Sequence, residues 1–242
     1  MCNCEHPSPT CNSPSRDAAS RSIAVRVKYG SEVVGNGSAS LPPMATDRLP
    51  ERITRCVTGL ALFGIGISLQ IDARIGVPPW DVFHQGVAAR LDRSIGTVII
   101  ATGALLLLLW IPLRQKPGLG TLLNALEIGL VANLVLDWLP EPESLVVRVP
   151  MMLAGIVVTG LGSAVYIGSG LGPGPRDGLM TGLAARGLQI RVARTGIEVI
   201  VLVIGWLLGG QVGVGTVAFA VLIGPIVQRL LPRFVMRPRD AT

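Results

Sequence analysis

The sequence predicts an all-α, polytopic membrane protein with six transmembrane helices in two inverted three-helix repeats. The chain of 242 residues is 50% apolar and only 15% charged, whereas soluble domains carry about 25% charged residues. Its uncharged runs approach or exceed the ~20 residues that a helix needs to cross a bilayer. A motif in the first half also returns in the second half. The uncharged runs cover residues 56–71, 94–113, 149–175 and 199–228.

The N-terminal 50 residues differ from the rest of the chain. They are rich in Ser, Pro, Gly and Asn and lack hydrophobic periodicity. Such a segment buries too little apolar surface to offset the entropy lost on ordering. No apolar stretch of about 7–15 residues follows the first methionine, so no secretory signal peptide is predicted. We expect residues 1–50 to be a polar tail, whose residues 1–43 are either disordered or an over-extended translation start with Met44 as the alternative.

Six spans are expected, three in each half of the chain. Residues 51–140 form the first predicted membrane repeat, residues 141–235 form the second, and residues 236–242 form a cytoplasmic tail. The expected spans lie at about residues 55–72, 95–113, 119–138, 149–169, 191–209 and 213–231.

Lys and Arg residues near the span ends predict the orientation, because they concentrate on the cytoplasmic side. With six crossings, four basic groups share one side, and both termini are cytoplasmic. The first outward connection is an exception, since it carries Arg74, Arg90 and Arg93. Five crossings, with residues 199–228 as one long helix, would put the arginine-rich C-terminus outside, and we reject that alternative. The inward groups are Arg48, Arg52 and Arg55; Arg114 and Lys116; Arg176, Arg186, Arg191 and Arg194; and Arg229, Arg233, Arg237 and Arg239.

One motif occurs twice, as RIGVPPWDVFHQGVAARL at residues 74–91 and as GLGPGPRDGLMTGLAARG at residues 170–187, 96 positions later. After a one-residue gap, GLGT at residues 118–121 matches GVGT at residues 213–216. Because three spans is an odd number, the second copy must enter the membrane from the opposite side. Inverted repeats of this kind are typical of secondary transporters. Aligned identities include Gly76 and Gly172, Pro79 and Pro175, Asp81 and Asp177, and Gly86 and Gly182.

Each copy predicts a Gly/Pro turn followed by a short re-entrant or interfacial helix. Residues 80–92 and 176–188 would extend only ~20 Å at 1.5 Å per residue, too little to cross a bilayer. In a structural interpretation, Asp81 and Asp177 cap these helices by accepting backbone N–H groups. In a functional one, both aspartates bind a cation or proton and the helix N-termini hold an anionic group, with Gly76 and Gly172 in the candidate site.

Three further residues complete the candidate substrate or ion site. Arg176 precedes Asp177 and either belongs to this site, forms an ion pair or snorkels to the interface. Glu127 lies near the middle of the third expected span, and Asn124 lies on the same helical face. Since intramembrane carboxylates usually face the bundle interior, Glu127 is a functional candidate. Its alternative role is a hydrogen bond to Asn124 and to another helix.

Local spacing predicts structural contacts as well. His84 follows Asp81 at i+3 and Glu198 follows Arg194 at i+4, spacings that bring helical side chains together. Small residues four positions apart let helices approach closely, so matching stripes predict that spans one and four pack together. The stripes are Gly64 and Ser68 on span one, and Gly160, Ala164 and Gly168 on span four.

Several classes of function are disfavoured. The net charge of +6 arises from arginines beside apolar runs, without the basic face and stacking aromatics of a nucleic-acid binder. With two histidines and no HExxH, Walker or nucleophile motif, an enzyme is not expected. We predict no cofactor and no metal site. The lipid bilayer is the partner that the composition implies.

The segment GISLQIDARIGVPPWDVFHQGVA, with its second copy GLGPGPRDGLMTGLA, resembles the YczE branch of the YczE/YyaS/YitT-type bacterial integral membrane proteins. The resemblance covers about residues 53–232, and its G-x-x-P-x-D pattern falls at residues 76–81 and 172–177. It implies a bacterial inner-membrane protein without an established biochemical activity.

Two functions follow from these features. The first is a small-solute transporter or permease with its site where the inverted repeats meet. The second is a non-transporting membrane scaffold, or an assembly or regulatory factor for another membrane-associated protein, because a fold does not define a function.

Overall fold

The computed structural model describes residues 48–140 and 142–236, and all regular secondary structure in these ranges is helical. Most of the predicted polar tail, Met44 and residues 237–242 lie outside the described residues. The helices are α1 (Leu49–Ala73), α2 (Pro79–Leu91), α3 (Ile95–Leu113), α4 (Leu119–Leu136), α5 (Leu145–Gly168), α6 (Pro175–Ala184), α7 (Ile190–Leu207) and α8 (Val214–Phe234).

Five of the described helices, α1, α3, α4, α5 and α8, are long and apolar enough to cross a membrane. Their outer faces expose large apolar side chains, including Leu108, Leu134 and Val217 at 61–65% of their full surface. Apolar surface this extensive is rare on soluble monomers. The predicted all-α, multi-pass membrane class is therefore confirmed. Helix α7 is 18 residues long and carries three charged residues, Arg191, Arg194 and Glu198.

Helices α1 and α5 pack together along the centre of the bundle, as the sequence predicts. Glycines allow their backbones to approach closely. A Cβ atom built on Gly162 would lie 2.6 Å from Gly59 O, and one built on Gly66 would lie 2.8 Å from Gly155 O. The two contacts correspond to each other by the 96-residue repeat. Any side chain at these glycines would separate the two helices.

The prediction that the two small-residue stripes form this contact was wrong, because the stripes face other helices. A Cβ atom on Gly64 would meet Val131 of α4, and one on Gly160 would meet Ile226 of α8. The Ser68 hydroxyl donates to Gly64 O within α1 at 2.9 Å. The α1–α5 interface uses glycines two positions away, on nearly the opposite helical face, since each residue turns a helix by about 100°.

The other helices pack in matching pairs. Helix α4 packs on α1 as α8 packs on α5, and α2 packs on α7 as α6 packs on α3. Two backbone hydrogen bonds between the halves occupy equivalent positions in the repeat. Gly120 N donates to Leu171 O at 3.0 Å, and Gly215 N donates to Ile75 O at 2.9 Å. We call α1, α4, α5 and α8 the core bundle, and α2, α3, α6 and α7 the side bundle. Each short helix thus packs against a long helix from the other half of the chain.

Hydrogen bonds identify which helix ends lie together. At one end, Arg52 donates to Ser169 O at 2.7 Å, which joins the start of α1 to the end of α5. Arg186, just after α6, donates to Pro112 O at the end of α3. At the other end, Arg90 of α2 donates to Leu208 O at 3.3 Å, and Gln85 accepts from Gln211 N at 3.0 Å. The C-terminus of α7 therefore lies beside the C-terminal half of α2.

Gly162→Ala should destabilise the fold by about 1–3 kcal/mol, the usual cost of overpacking a tight core. The added methyl group would collide with the backbone of α1 near Gly59 and Phe63. Gly196→Ala on α7 is the matched control, because no heavy atom lies within 4 Å of its Cβ position. Thermal unfolding in detergent micelles should show a lower Tm for the first variant alone. Equal Tm values would contradict the central role of the α1–α5 contact.

Candidate functional site

Two matching turns lead into the short helices. Gly76 and Gly172 have φ angles of 110° and 126°, a region that glycine adopts without steric cost. Helix α2 then begins at Pro79 and α6 at Pro175, the same position in both copies of the motif. Proline suits the first helical turn, where its missing N–H has no partner to bond. At 13 and 10 residues, the helices extend only ~20 and ~15 Å.

The interpretation of the aspartates as helix caps is wrong. The N-cap residues are Pro78 and Gly174, and neither helix has a side-chain cap bond. Because the prolines start each helix two residues before the aspartate, Asp81 and Asp177 lie inside the first turn. Their carboxylates are thus available for contacts with other side chains.

Asp81 is the centre of a buried polar cluster. Its Oδ1 atom lies 3.0 Å from His84 Nδ1 and 3.9 Å from the Arg176 guanidinium, which confirms the predicted His84 contact. Arg176 also lies over the Trp80 ring, 5.0 Å from its centroid, a cation–π geometry. The cluster joins the first turns of α2 and α6, although these residues are 95 positions apart.

Three polar atoms of this cluster have no hydrogen-bond partner among the described residues. They are Trp80 Nε1, Asp81 Oδ2 and His84 Nε2, and their side chains are at least 93% buried. Leaving such a group unsatisfied costs about 1–3 kcal/mol. Buried polar atoms without a partner indicate a place for a polar ligand or an ordered water.

Trp80 and Asp81 line a cavity of about 380 Å³, within the range of small-molecule sites. The first turns of α2 and α6 both contribute to its wall. The lining also includes apolar side chains, such as Phe63 of α1 and Ile223 of α8, and the charged Arg194 of α7. The cavity can therefore hold a solute that has both charged and apolar parts.

The second aspartate faces the same cavity in a different setting. Asp177 Oδ2 accepts from the Tyr166 hydroxyl at 3.4 Å. Burial raises the pKa of the Asp177 carboxyl, while Arg194 and Arg176 oppose that shift. Arg194 itself pairs with Glu198 at 3.1 Å, as the i,i+4 spacing predicts.

His84 lines a second, much smaller cavity of about 20 Å³ between α3 and α4. Burial lowers the pKa of the His84 imidazole, and the hydrogen bond to Asp81 acts in the opposite direction. Arg176 and Asn124 line both cavities, so the two spaces share a wall.

The structure brings four of the predicted site residues to the larger cavity: Asp81, Asn124, Arg176 and Asp177. Gly76 and Gly172 lie in the turns that lead to it. Glu127 is half-buried on α4 and lines neither of these two cavities.

Sequence reasoning missed Trp80 and Tyr166, which also line the larger cavity. Trp80 occupies the position of Arg176 in the other copy of the motif, and that mismatch was a usable signal. Tyr166 is the lone tyrosine of an uncharged run of 27 residues, 149–175. A tyrosine hydroxyl placed within such a run was a second signal.

Fold and site together define a multi-pass α-helical membrane protein with a polar cavity where two short helices meet. The chain matches, over residues 50–232, a family described as "Family of unknown function (DUF6198)". This match covers most of the chain, and the protein belongs to that family.

Curated relatives agree with this assignment. An "Uncharacterized protein" from Haemophilus influenzae is 42% identical over 173 residues, which cover 71% of this chain and 79% of the relative. "Uncharacterized membrane protein YczE" from Bacillus subtilis is 33% identical over 76% of this chain and 87% of its own length. "Uncharacterized protein YyaS" from the same organism is 28% identical over 72% and 89%. The resemblance to the YczE branch is confirmed. No solved structure matches the chain.

Asp177 should make the stability of the fold depend on pH. Because its folded-state pKa is raised above the ordinary value of 3.8, the folded state binds this proton more tightly than the unfolded state. Its stabilising contribution is present below about pH 4 and is lost as pH rises through the raised pKa. Asp177→Asn should remove this loss, whereas Asp92→Asn at an exposed position should not. Tm values measured in micelles from pH 4 to 8 test this, and parallel curves for wild type and Asp177→Asn would contradict it.

Proposed function

We propose that this protein is a transporter of small amphoteric solutes, whose substrate site is the cavity between the first turns of α2 and α6. The solute presents an anionic group to Arg176 and a cationic group to Asp81, and it passes without chemical change. The protein would reside in the bacterial inner membrane as two inverted three-helix repeats.

The observation that carries this proposal is that Trp80 and Asp81, two cavity-lining residues, each keep a polar atom without a hydrogen-bond partner among the described residues. Asp81 Oδ2 offers an acceptor and Trp80 Nε1 offers a donor, and neither has a partner among the described residues. Arg176 supplies a cation 3.9 Å from the Asp81 carboxylate. A ligand that carries both charges would complement Arg176 and Asp81 at once and supply an acceptor for the Trp80 indole N–H.

The matched packing of the two halves supports the inverted repeat. Exchanging the two repeats converts the α1–α4 contact into the α5–α8 contact. It also converts the α2–α7 contact into the α3–α6 contact. Interrupted segments at equivalent positions, with N-termini directed at a shared cavity, are typical sites of secondary transporters. Irregular backbone at membrane depth is tolerated where it is buried or lines a cavity, as the turns at Gly76 and Gly172 would be.

The ends of the helices support six crossings with both termini in the cytoplasm. The start of α1 lies beside the end of α5, and the end of α6 lies beside that of α3. The basic residues Arg52 and Arg186 form these contacts. The end of α7 lies beside α2, at the other end of the bundle, which supports α7 as the sixth crossing. The positive-inside rule then orients the bundle.

Three matched pools of solutes test the substrate class in proteoliposomes of the full chain: neutral α-amino acids, the amines formally derived by removing their carboxylates, and the acids lacking their amino groups. Uptake should occur from the first pool. Asp81→Asn should reduce it at least about tenfold, since a lost charged hydrogen bond costs about 1.5–3 kcal/mol. Radiolabel uptake against empty liposomes is the measurement.

Asp92→Asn is the matched control, because Asp92 is exposed at the C-terminus of α2 and should leave uptake unchanged. Uptake of the amines or acids alone would contradict the amphoteric class. Absence of uptake and of thermal stabilisation by every pool would contradict transport and favour the alternative, a scaffold or assembly factor.

A further inference from the structure

The two cavities are counterparts in the repeat. Residues that line the small cavity between α3 and α4 correspond to residues that line the large cavity beside α7 and α8. Examples are His84 and Met180, Thr102 and Glu198, and Ala125 and Ala220. One space therefore occurs twice, at about 20 Å³ in one half and about 380 Å³ in the other.

The small cavity is narrow because α3 and α4 pack tightly along their seam. A Cβ atom on Gly103 would lie 3.0 Å from Ala125 Cβ, and Gly96 N donates to Asn133 Oδ1 at 2.9 Å. Gly129 meets the backbone of Gly96 so closely that no side chain fits there.

The equivalent seam between α7 and α8 is open. Gly224 is the counterpart of Gly129, yet no heavy atom lies within 4 Å of its Cβ position. Gln228 stands at the position of Asn133 and lines the large cavity. Helices α7 and α8 lack the close packing that joins α3 to α4.

We infer that the α3–α4 seam is a second entrance to the same binding cavity, and that it opens as the α7–α8 seam closes. This inference rests on the proposed transport function. The structure then corresponds to the state with the α7–α8 entrance open, and exchange of the two seams presents the site to the opposite face of the membrane.

The packing shows which parts move. The side bundle consists of the pairs α2–α7 and α3–α6, joined by the α2–α3 and α6–α7 contacts, and the core bundle is held together by α1–α5, α1–α4 and α5–α8. The seams lie between the two bundles, so rocking of one bundle against the other opens one seam and closes the other, as in other inverted-repeat carriers. Arg176 and Asn124 line both cavities, so the solute keeps these partners while its access changes.

Paired cysteines test the exchange in the full chain, with Cys2, Cys4 and Cys11 changed to Ser and Cys56 changed to Ala. Gly103→Cys with Ala125→Cys bridges the closed seam, and Val199→Cys with Ala220→Cys bridges the open one. We expect both pairs to form disulfides in membranes, the second only as α7 approaches α8. Each disulfide should reduce uptake of the α-amino-acid pool at least about tenfold, reversibly with dithiothreitol, since one cycle needs both states.

Leu113→Cys with Gly182→Cys is the matched control, because it bridges α3 and α6 inside the side bundle at a similar spacing of 3.1 Å. Its disulfide should leave uptake unchanged. Maleimide mass tagging counts the unreacted thiols of each pair. Single Ala125→Cys and Ala220→Cys variants supply a second readout with a membrane-impermeant thiol reagent. The reagent should label Ala220→Cys from one face of the membrane. It should label Ala125→Cys from the other face, and more strongly when the α-amino-acid pool is added.

The outcomes separate this inference from the proposed function. Normal uptake by the oxidised Gly103→Cys and Ala125→Cys protein would overturn the second entrance while leaving transport in place. Failure of the Val199→Cys and Ala220→Cys pair to react, with or without the pool, would also overturn it. Lack of uptake by the unmodified protein would instead overturn the proposed function.

Discussion

The backbone contact between α1 and α5 is the constraint on which the rest of the structure depends. Gly59, Gly66, Gly155 and Gly162 bring these two helices so close that no side chain separates them. Close approach of small residues drives helix association in lipid, where the hydrophobic effect contributes little between helices. Since α4 and α8 pack on opposite members of this pair, its spacing determines the width of the core bundle and hence where the cavity can form.

The short helices α2 and α6 lie in the side bundle, next to the core bundle. Each one begins at a proline after a glycine turn, packs on a long helix of the other half, and places its first turn at the cavity. Charged groups are costly at membrane depth unless they are paired or functional. The cluster of Asp81, His84 and Arg176 satisfies some of these groups and leaves Asp81 Oδ2 and Trp80 Nε1 open.

Small differences between the halves account for the unequal seams. Gly96 and Gly129 allow α3 and α4 to touch, and Asn133 adds a bond across them. In the other half Val192 stands in place of Gly96 and Gln228 in place of Asn133. A β-branched side chain needs more space than glycine, so the α7–α8 seam closes less tightly. The two halves share the same helix order, and these side-chain differences make their seams unequal.

The sequence by itself determined the properties that depend on local composition and spacing. Hydropathy was sufficient for the all-α membrane class, the duplicated motif for the short helices at Pro79 and Pro175, and helical spacing for the contacts of His84 with Asp81 and of Arg194 with Glu198. Only the tertiary structure decided which helical faces meet. It turned Gly64 away from α5, brought Arg176 to Asp81 and left Glu127 outside the two cavities. These outcomes depend on the rotation and depth of helices that are distant in the chain, and a local pattern carries no information about either.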